Sequence, residues 1–218
     1  MLPVLLVATR NRGKLLELEP MIAAAGYRAV TLDAAGIVED PLEDALEAFD
    51  TFEENALAKA HYFFARSGGI AVLADDSGLV VDVLQGEPGV RSKRWSGSHA
   101  SGAVLDAENN AKLLAALMGE LHRQARFVCV AAIVSATGSR FARGENSGRI
   151  LECASGMGGF GYDPLFWSDE LGKTFADASL EEKSQVSHRA RAVAAVLVPS
   201  RAHDTGEAIV VDRAGARR

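Results

Sequence analysis

The amino-acid sequence predicts an α/β fold built around a mixed β-sheet. Short apolar runs typical of buried strands alternate with segments whose apolar residues recur at helical spacing. No internal repeat or linker-like stretch divides the 218 residues. We therefore expect residues 1–200 to form a single domain and residues 201–218 to be a poorly ordered tail.

Each predicted element depends on its apolar pattern and on the residues that interrupt it. Gly and polar clusters separate the segments, and Ser179 with Glu182 forms a capping box typical of a helix start. Segment 33–50 predicts a loop or irregular helix, and segment 92–102 a surface loop. The predicted order is a strand over 2–8, a helix over 15–22, a helix from 51 that ends before 68, strands over 70–74 and 79–84 joined by a turn at 77–78, a helix over 106–121, a strand over 126–135, strands over 140–143 and 149–153 joined by a turn at 144–148, helices from 179 and over 190–198, and a short strand over 208–211.

Composition and charge exclude several classes of protein. The net charge is −6 and no run of Lys or Arg is present, so a nucleic acid is not expected as a partner. The apolar run Leu2 to Ala8 is too short to cross a membrane and lacks a signal-peptide cleavage pattern, which makes the cytoplasm the expected location. Cys129 and Cys153 lie in no Cys-x-x-Cys motif, so neither a disulfide framework nor a zinc site is expected.

A glycine-rich stretch, SGMGGFGYDPLF at 155–166, has the spacing of a dinucleotide-binding fingerprint. Gly156, Gly158 and Gly161 match G-x-G-x-x-G, but Tyr162-Asp163-Pro164 follows where a helix should begin. Proline disfavours helical geometry in the residue before it, so no helix can start there in register. The stretch therefore argues against a nicotinamide-dependent enzyme and needs another explanation.

The acidic motif Asp75-Asp76-Ser77-Gly78 follows an apolar run and allows two interpretations. Asp, Ser and Gly favour a β-turn. Adjacent carboxylates at the end of a strand can instead coordinate a hard cation or activate water. Because neighbouring side chains leave a strand on opposite faces, we expect one of the two carboxylates to face the site.

Glu54 is also open to two interpretations. It completes the capping box Thr51-x-x-Glu54, and its neighbours Asn55 and Lys59 share a polar face of the predicted helix. A capping role and a functional role are compatible for this carboxylate.

The stretch Thr9-x-Asn11-x-x-Lys14 lies between the first predicted strand and helix. An ordinary helix cap followed by a solvated lysine explains it, and so does a phosphate cradle made of loop amides, a hydroxyl and an ammonium group. The Walker A pattern is absent.

The last cluster contains Lys183 and Ser187-His188-Arg189. Positions 183 and 188 of one continuous helix would lie about 140° apart. We therefore expect Ser184 or Ser187 to interrupt the helix. A solvated helix with an incidental histidine explains the cluster as well as a binding site does.

Taken together and in this order, these stretches resemble the inosine triphosphate pyrophosphatase family. The resemblance spans nearly all of residues 4–196. The matching residues are Thr9, Asn11 and Lys14, TFEENALAKA at 51–60, ADDSGLVVDVLQGEPGVRSKRWSG at 74–97, GGFGYDPLF at 158–166 and EEKSQVSHRARA at 181–192.

This resemblance implies an elongated mixed β-sheet flanked by helices, with two lobes, an active site in the cleft between them and a homodimeric assembly. It implies Mg²⁺-dependent hydrolysis of noncanonical purine nucleoside triphosphates such as ITP, dITP and XTP. The bond between the α- and β-phosphates is cleaved, which gives the monophosphate and pyrophosphate.

The resemblance also implies roles for single residues. Asp76 corresponds to the general base, Glu54 and Asp76 to the metal ligands, and Asp75 to a supporting residue. The implied substrate-binding residues are Thr9, Arg10, Asn11, Arg12, Gly13, Lys14, Ser77, Phe160, Gly161, Tyr162, Asp163, Lys183, His188 and Arg189.

Two positions depart from the family pattern, and two rival functions stay open. The family usually has glycine where this chain has Arg10 and Phe49, which puts local loop geometry in doubt. A related septum-associated family acts on modified pyrimidine nucleotides. The other rival is a nucleotide sensor that binds without turnover. The presence of Glu54, Asp76 and Lys183 together argues against it, because a protein that only binds a nucleotide does not need a carboxylate that activates water.

Overall fold

The predicted α/β class is confirmed in a computed structural model that describes residues 2–198 and 209–210. Five α-helices accompany eight strands in these residues. The strands are β1 (Val4–Val7), β2 (Arg28–Thr31), β3 (Ala71–Val81), β4 (Gln124–Ser135), β5 (Gly138–Ile150), β6 (Phe166–Ser168), β7 (Lys173–Thr174) and β8 (Ile209–Val210). The α-helices are α1 (Arg12–Ala24), α2 (Phe52–Phe64), α3 (Gly102–Ala116), α4 (Leu180–Val186) and α5 (His188–Leu197), and short 3-10 helices cover Pro41–Glu47, Asp82–Leu84 and Gly89–Arg94.

The strands form one mixed sheet in the order β2-β1-β3-β4-β5-β6-β7, with β8 beside β5. β1 runs parallel to both β2 and β3, with Leu5 opposite Ala29 and Ala71. β6 pairs antiparallel with β5 and β7. β8 confirms the short strand predicted over 208–211, whereas the rest of the predicted poorly ordered tail lies outside the described residues.

Residue contacts divide the chain into two compact units, each assembled from separate segments. Among the described residues, the first unit contains 2–76, 129–144, 188–198 and 209–210. The second contains residues 77–128 and 145–187. Each unit therefore depends on contacts between distant parts of the sequence.

The core of the first unit packs α1 and α5 against strand residues. Leu18 and Ile22 lie one helical turn apart on α1, and they belong to the same buried cluster as Leu5 of β1 and Val193 of α5. Because i and i+4 side chains share a helix face, this spacing gives α1 one apolar side. The cluster anchors α1 directly after the loop that follows β1.

The core of the second unit is rich in aromatic side chains. Phe127, Phe166 and Phe175 are mutually in contact, with ring centroids 4.6, 5.6 and 5.1 Å apart. Leu113 and Leu117 belong to the same buried cluster. Aromatic contacts of this kind add to the stability gained by burying apolar area.

Two turns that the sequence predicts inside the sheet are wrong. β3 continues through Ser77-Gly78, and β5 continues through Gly144 and Gly148. A Cβ at Gly144 would lie 2.3 Å from the His188 carbonyl oxygen, and one at Gly148 would lie 2.0 Å from the Trp167 carbonyl oxygen. These two glycines therefore allow neighbouring backbone to approach the strand rather than reverse its direction.

The segment predicted as a surface loop over 92–102 is also partly ordered. Ser92 lies in a 3-10 helix and is buried, and its hydroxyl accepts a hydrogen bond from the Leu79 N–H at 2.8 Å and donates to the Gly89 carbonyl. α3 begins at Gly102 and ends at Ala116, earlier at both ends than the predicted 106–121.

Within the described residues, no helix combines the length and apolar character needed to cross a membrane.

We expect Gly148→Ala to lower the free energy of unfolding by about 3 kcal/mol, because the added methyl group would overlap the Trp167 backbone. Gly172→Ala is the comparison, since Gly172 has open space around it and a φ of +63°. That substitution should cost about 1 kcal/mol of left-handed backbone strain. Urea denaturation of both variants measures the difference, and equal losses would contradict this account of β5.

Candidate active site

Asp75 lies at the centre of a buried ion-pair cluster in the first unit. Its Oδ2 is 3.0 Å from Lys14 Nζ and 3.2 Å from Arg189 Nε. Arg189 also pairs with Glu17, and the Asp75 and Arg189 side chains are 1% and 2% exposed. Strand β3, helix α1 and helix α5 each supply part of this cluster.

The charges of this cluster stabilise one another. Burial alone would raise the pKa of Asp75, but Lys14 and Arg189 outweigh it and hold the pKa well below its usual range. Burial would likewise lower the pKa of Arg189, yet Glu17 and Asp75 keep it above its ordinary value. Both groups therefore stay charged near neutral pH, and Asp75 acts first as a structural anion.

Asp76, the next residue of β3, has a different environment. Its Oδ2 accepts a hydrogen bond from Asn55 Nδ2 at 2.9 Å, and the residue is 5% exposed. Burial raises the pKa of Asp76, and Glu47 adds to the shift, whereas Lys59 and Lys14 oppose it. A buried carboxylate with a raised pKa can accept a proton from water more readily than an ordinary Asp.

Lys59 joins the backbone of β3 to the 3-10 helix over Pro41–Glu47. Its Nζ pairs with the Glu47 carboxylate and donates to the Asp75 carbonyl oxygen at 2.9 Å. Burial would lower the pKa of Lys59, but Glu47 and the two aspartates raise it above the ordinary value. The ammonium group is therefore a fixed positive charge beside both carboxylates of β3.

Four residues of this cluster were not among the candidates from sequence: Glu17, Glu47, Asn55 and Lys59. Asn55 and Lys59 had a visible signal, because their i, i+4 spacing puts both on one face of α2. Glu47 lies in an acidic segment in which no local pattern distinguishes it. Glu17 looks like a solvated helix residue until its pairing with Arg189 is seen.

The loop after β1 confirms the predicted helix cap, but the expected solvated lysine is wrong, because Lys14 pairs with Asp75 and its side chain is 13% exposed. Asn11 is the N-cap of α1, and its Oδ1 accepts from the Lys14 N–H at 3.2 Å. The Thr9 hydroxyl accepts from the Asn11 N–H at 3.2 Å. Arg12 and Gly13 form the first turn of α1, so this helix begins three residues before the predicted start at 15.

Arg10, one of the two departures from the family pattern, forms hydrogen bonds with acidic side chains and a backbone carbonyl of this protein. Its guanidinium donates to both Glu43 carboxylate oxygens at 2.7 Å, to Asp33 at 3.2 Å and to the Ile37 carbonyl at 3.2 Å. The hydrogen bond to Glu43 raises the pKa of Arg10, although burial opposes the shift. A substrate contact for Arg10 stays a prediction.

Thr51 caps α2 as predicted, and the Glu54 carboxylate bonds to the Thr51 hydroxyl. The Thr51 hydroxyl donates to Glu54 Oε2 at 2.7 Å and accepts from the Glu54 N–H at 3.2 Å. Phe49, the second departure from the family pattern, donates its N–H to Asn55 Oδ1 at 2.9 Å. The entry to α2 is therefore fixed by Thr51 and by Asn55.

A second polar cluster surrounds Asp163 in the second unit. Asp163 Oδ2 accepts from Lys183 Nζ at 2.8 Å and from the Phe160 N–H at 3.0 Å. Both charged side chains are about 95% buried, at 5% and 4% exposure. Lys183 Nζ also lies 5.6 Å from the centre of the Phe160 ring. A Cβ at Gly159 would overlap Asp163, so the loop needs glycine there.

Tyr162 ties this loop to the rest of its unit. Its hydroxyl donates to the Ser92 carbonyl oxygen at 2.8 Å, and burial raises the pKa of the phenol. This hydrogen bond holds the loop that carries Phe160 and Asp163 in place.

Ser77 is the first residue of β3 that belongs to the second unit, and it is half-buried.

The predicted interruption of the last helical segment is confirmed at Ser187. The Ser179 capping box starts α4, Ser187 ends it in an extended conformation, and α5 begins at His188. His188 is buried. The break lets Lys183 and Arg189 belong to separate clusters rather than to one helix face.

The expected metal is compatible with the chemistry of the donor set. Mg²⁺ is commonly held by one or two carboxylates together with substrate phosphates rather than by a cage of protein ligands. Within residues 2–198 and 209–210, no three His, Cys, Asp or Glu side chains form such a cage. Asp76 offers an oxygen donor of the required type, and Glu47 lies close enough to raise its pKa.

We expect Asp75→Asn to lower the free energy of unfolding at pH 7 by about 3–5 kcal/mol, because Lys14 and Arg189 lose a buried counter-charge. The folded pKa of Asp75 is depressed, so its stabilising contribution is complete above about pH 5 and is lost as the pH falls below the ordinary Asp value of about 3.9. The difference between wild type and variant should therefore narrow in acid.

Urea denaturation at neutral and acidic pH tests this expectation. Asp169→Asn is the control, since that exposed carboxylate forms only a 3.5 Å surface pair with Arg149. A difference between wild type and Asp75→Asn that stays constant with pH would contradict the buried-anion account.

Comparisons with known proteins agree with the arrangement of these motifs. The sequence profile of the Ham1 family matches residues 5–198. A dITP/XTP pyrophosphatase of Mycolicibacterium paratuberculosis is 50% identical over 90% of this chain and 94% of its own length. One of Geobacter sulfurreducens is 47% identical over 87% and 92%.

Solved structures match at the level of the fold as well. A HAM1 protein from Coxiella burnetii has a TM-score of 0.75 and 31% identity, and covers 89% of this chain and 96% of its own. The dITP/XTP pyrophosphatase of Mycobacterium abscessus has a TM-score of 0.66 and 41% identity over 90% of this chain and its own full length. The resemblance inferred from the motifs is confirmed, and the chain belongs to the Ham1 family.

Proposed function

We propose that this protein hydrolyses noncanonical purine nucleoside triphosphates, namely ITP, dITP and XTP, to the monophosphate and pyrophosphate. The names of the relatives support this substrate class. The observation that carries the proposal is Asp76, a buried carboxylate with a raised pKa that is held by Asn55 and lies beside the ammonium group of Lys59.

The phosphates are assigned to the loop after β1 and the start of α1. The backbone N–H groups at the N-terminus of this 13-residue helix favour an anion, and Lys14 adds a positive charge that is 13% exposed. Thr9 and Asn11 place a hydroxyl and an amide at the same loop. Positive charge and positioning supply most of the catalysis of phosphoryl transfer.

Asp76 is assigned the role of general base. It would take a proton from the water whose oxygen bonds to the α-phosphorus, while the bond from that phosphorus to the α–β bridging oxygen breaks and pyrophosphate leaves. Asn55 holds the carboxylate in place through the 2.9 Å hydrogen bond. Asp75, which is neutralised by its own ion pairs, does not compete for this proton.

Mg²⁺ belongs to the proposal as the cofactor. When bound, it would offset charge on the triphosphate. Asp76 is one proposed ligand, and the family resemblance assigns Glu54 as the other. Glu47 competes with Glu54 for this role, because its carboxylate acts on the pKa of Asp76 while the Glu54 carboxylate is bonded to Thr51.

The purine base is assigned to the loop containing Phe160, Gly161, Tyr162 and Asp163, with Lys183 and His188 as further contacts. An aromatic ring next to a buried Lys–Asp pair offers both a stacking surface and polar groups. A donor aimed at a 6-oxo group would be left unpaired by adenine, which costs about 1–3 kcal/mol per group.

Two further parts complete the proposal. The assembly is a homodimer, which rests on the family resemblance, and the protein acts in the cytoplasm, which rests on the character of the apolar run Leu2 to Ala8. Light scattering coupled to size-exclusion chromatography tests the dimer, and a monomer at micromolar concentration would overturn it.

We expect wild-type protein with Mg²⁺ to release pyrophosphate rather than orthophosphate from ITP, and Asp76→Asn to lose nearly all turnover. The variant should remain folded, because removing a buried carboxylate whose pKa is raised does not cost stability at neutral pH. Enzymatic detection of pyrophosphate, with thermal denaturation as the folding control, makes the measurement.

The same assay separates the rival functions. Turnover of UTP or methylated pyrimidine triphosphates in preference to ITP and XTP would favour a pyrimidine enzyme. Calorimetric binding of ITP without product would indicate a sensor, and orthophosphate as the product would overturn the proposed reaction.

We expect Glu47→Gln to raise the Mg²⁺ concentration needed for half-maximal rate by about tenfold, because it removes a charged oxygen donor near Asp76. Glu54→Gln is the matched variant, since a glutamine oxygen can also accept the hydrogen bond from the Thr51 hydroxyl. Initial rates over a range of Mg²⁺ concentrations decide between the two ligands. A tenfold change in Glu54→Gln alone would restore Glu54 to the role.

A further inference from the structure

We propose that Asp106 and Asn110 of α3 are positioning residues that hold the base-binding loop through Gly161 and thereby set base selectivity. This inference rests on the proposed function, because the loop at 158–163 is assigned there to binding the purine base. Neither residue belongs to the clusters assigned to phosphate, metal or base.

The two side chains bind the backbone of Gly161, one through its N–H group and the other through its carbonyl oxygen. The Gly161 N–H donates to Asp106 Oδ2 at 2.9 Å, and Asn110 Nδ2 donates to the Gly161 carbonyl oxygen at 2.9 Å. Asp106 and Asn110 are spaced i and i+4, so α3 presents both on one face. Hydrogen bonds to an ionised carboxylate are stronger than neutral ones, which favours Asp106 as the firmer contact.

Gly161 needs such support because of its conformation. Its φ is +61°, and nothing lies within 4 Å of the position that a Cβ would occupy. Glycine has wide conformational freedom, so packing cannot fix this residue. The two hydrogen bonds from α3 supply the restraint that a side chain would give elsewhere.

Fixing Gly161 also fixes the aromatic residue before it. The Phe160 N–H is held by Asp163, and the Asp163 N–H donates to the Phe160 carbonyl at 3.2 Å. The turn is therefore held by Asp163 on one side and by α3 on the other. Selectivity between 6-oxo and 6-amino purines requires donors that cannot shift to suit the wrong base, so a rigid loop discriminates better than a loose one.

The geometry gives a test that distinguishes charge from hydrogen bonding. Asp106→Ala removes the acceptor for the Gly161 N–H, whereas Asp106→Asn keeps an acceptor oxygen. Asn110→Asp keeps the shape but removes the donor and turns a carboxylate toward the Gly161 carbonyl. Glu108→Gln is the control, since Glu108 is an exposed acid on the same helix.

Steady-state kinetics with ITP, GTP and ATP give the main readout. For Asp106→Ala and Asn110→Asp we expect the KM for ITP to rise about tenfold while kcat changes less than about twofold, and the preference for ITP over ATP to fall. Asp106→Asn should recover most of the wild-type KM, and Glu108→Gln should match wild type. Inhibition by inorganic tripolyphosphate, which lacks a base, should be unchanged in all variants.

Other outcomes overturn the inference. An unchanged KM and base preference in both variants would mean that α3 does not position the loop. A fall in kcat with weaker tripolyphosphate inhibition would indicate general structural damage, which thermal denaturation would also detect. Wild-type protein that does not hydrolyse ITP would overturn the proposed function and this inference together, whereas active wild type with unaffected variants would overturn the inference alone.

Discussion

The buried pairing of Asp75 with Lys14 and Arg189 is the interaction on which the first unit depends. It joins strand β3, helix α1, which precedes β3 in the chain, and helix α5, whose Arg189 lies 114 residues after Asp75. Charges taken out of water are costly unless each is paired, and here Glu17 completes the pairing of Arg189. The arrangement specifies one alignment of these elements, because any shift would leave a buried charge without its counter-charge.

Two adjacent aspartates of one strand thereby acquire different chemistry. Cations lower the pKa of Asp75, and burial with a nearby glutamate raises that of Asp76. The alternation of side chains along a strand is sufficient to put them in these separate environments. Environment rather than residue type assigns one carboxylate to structure and leaves the other for proton transfer, as in other enzymes with paired carboxylates.

The sequence predicted the helices and the capped helix starts well, because these depend on local patterns such as Ser179 with Glu182 and Thr51 with Glu54. It failed where distant backbone decides the outcome. Gly148 suggests a turn until the neighbouring strand at Trp167 is seen against it. Within the candidate site, Lys14 and Lys183 were assigned through the motifs that carry the family resemblance. Glu47 and Glu17 could not, because only the folded chain brings them to their partners.

The contact between Arg10 and Glu43 has a mechanical consequence. Arg10 belongs to the loop after β1, and Glu43 lies in the 3-10 helix that ends at Glu47, so their ion pair joins these two short segments of the chain. A chain with glycine at position 10 lacks this fastening, and its two segments can fluctuate separately. In this protein the Arg10–Glu43 pair links the two segments, so a displacement of the loop that kept this pair would also carry Glu47 and the lysine bonded to it.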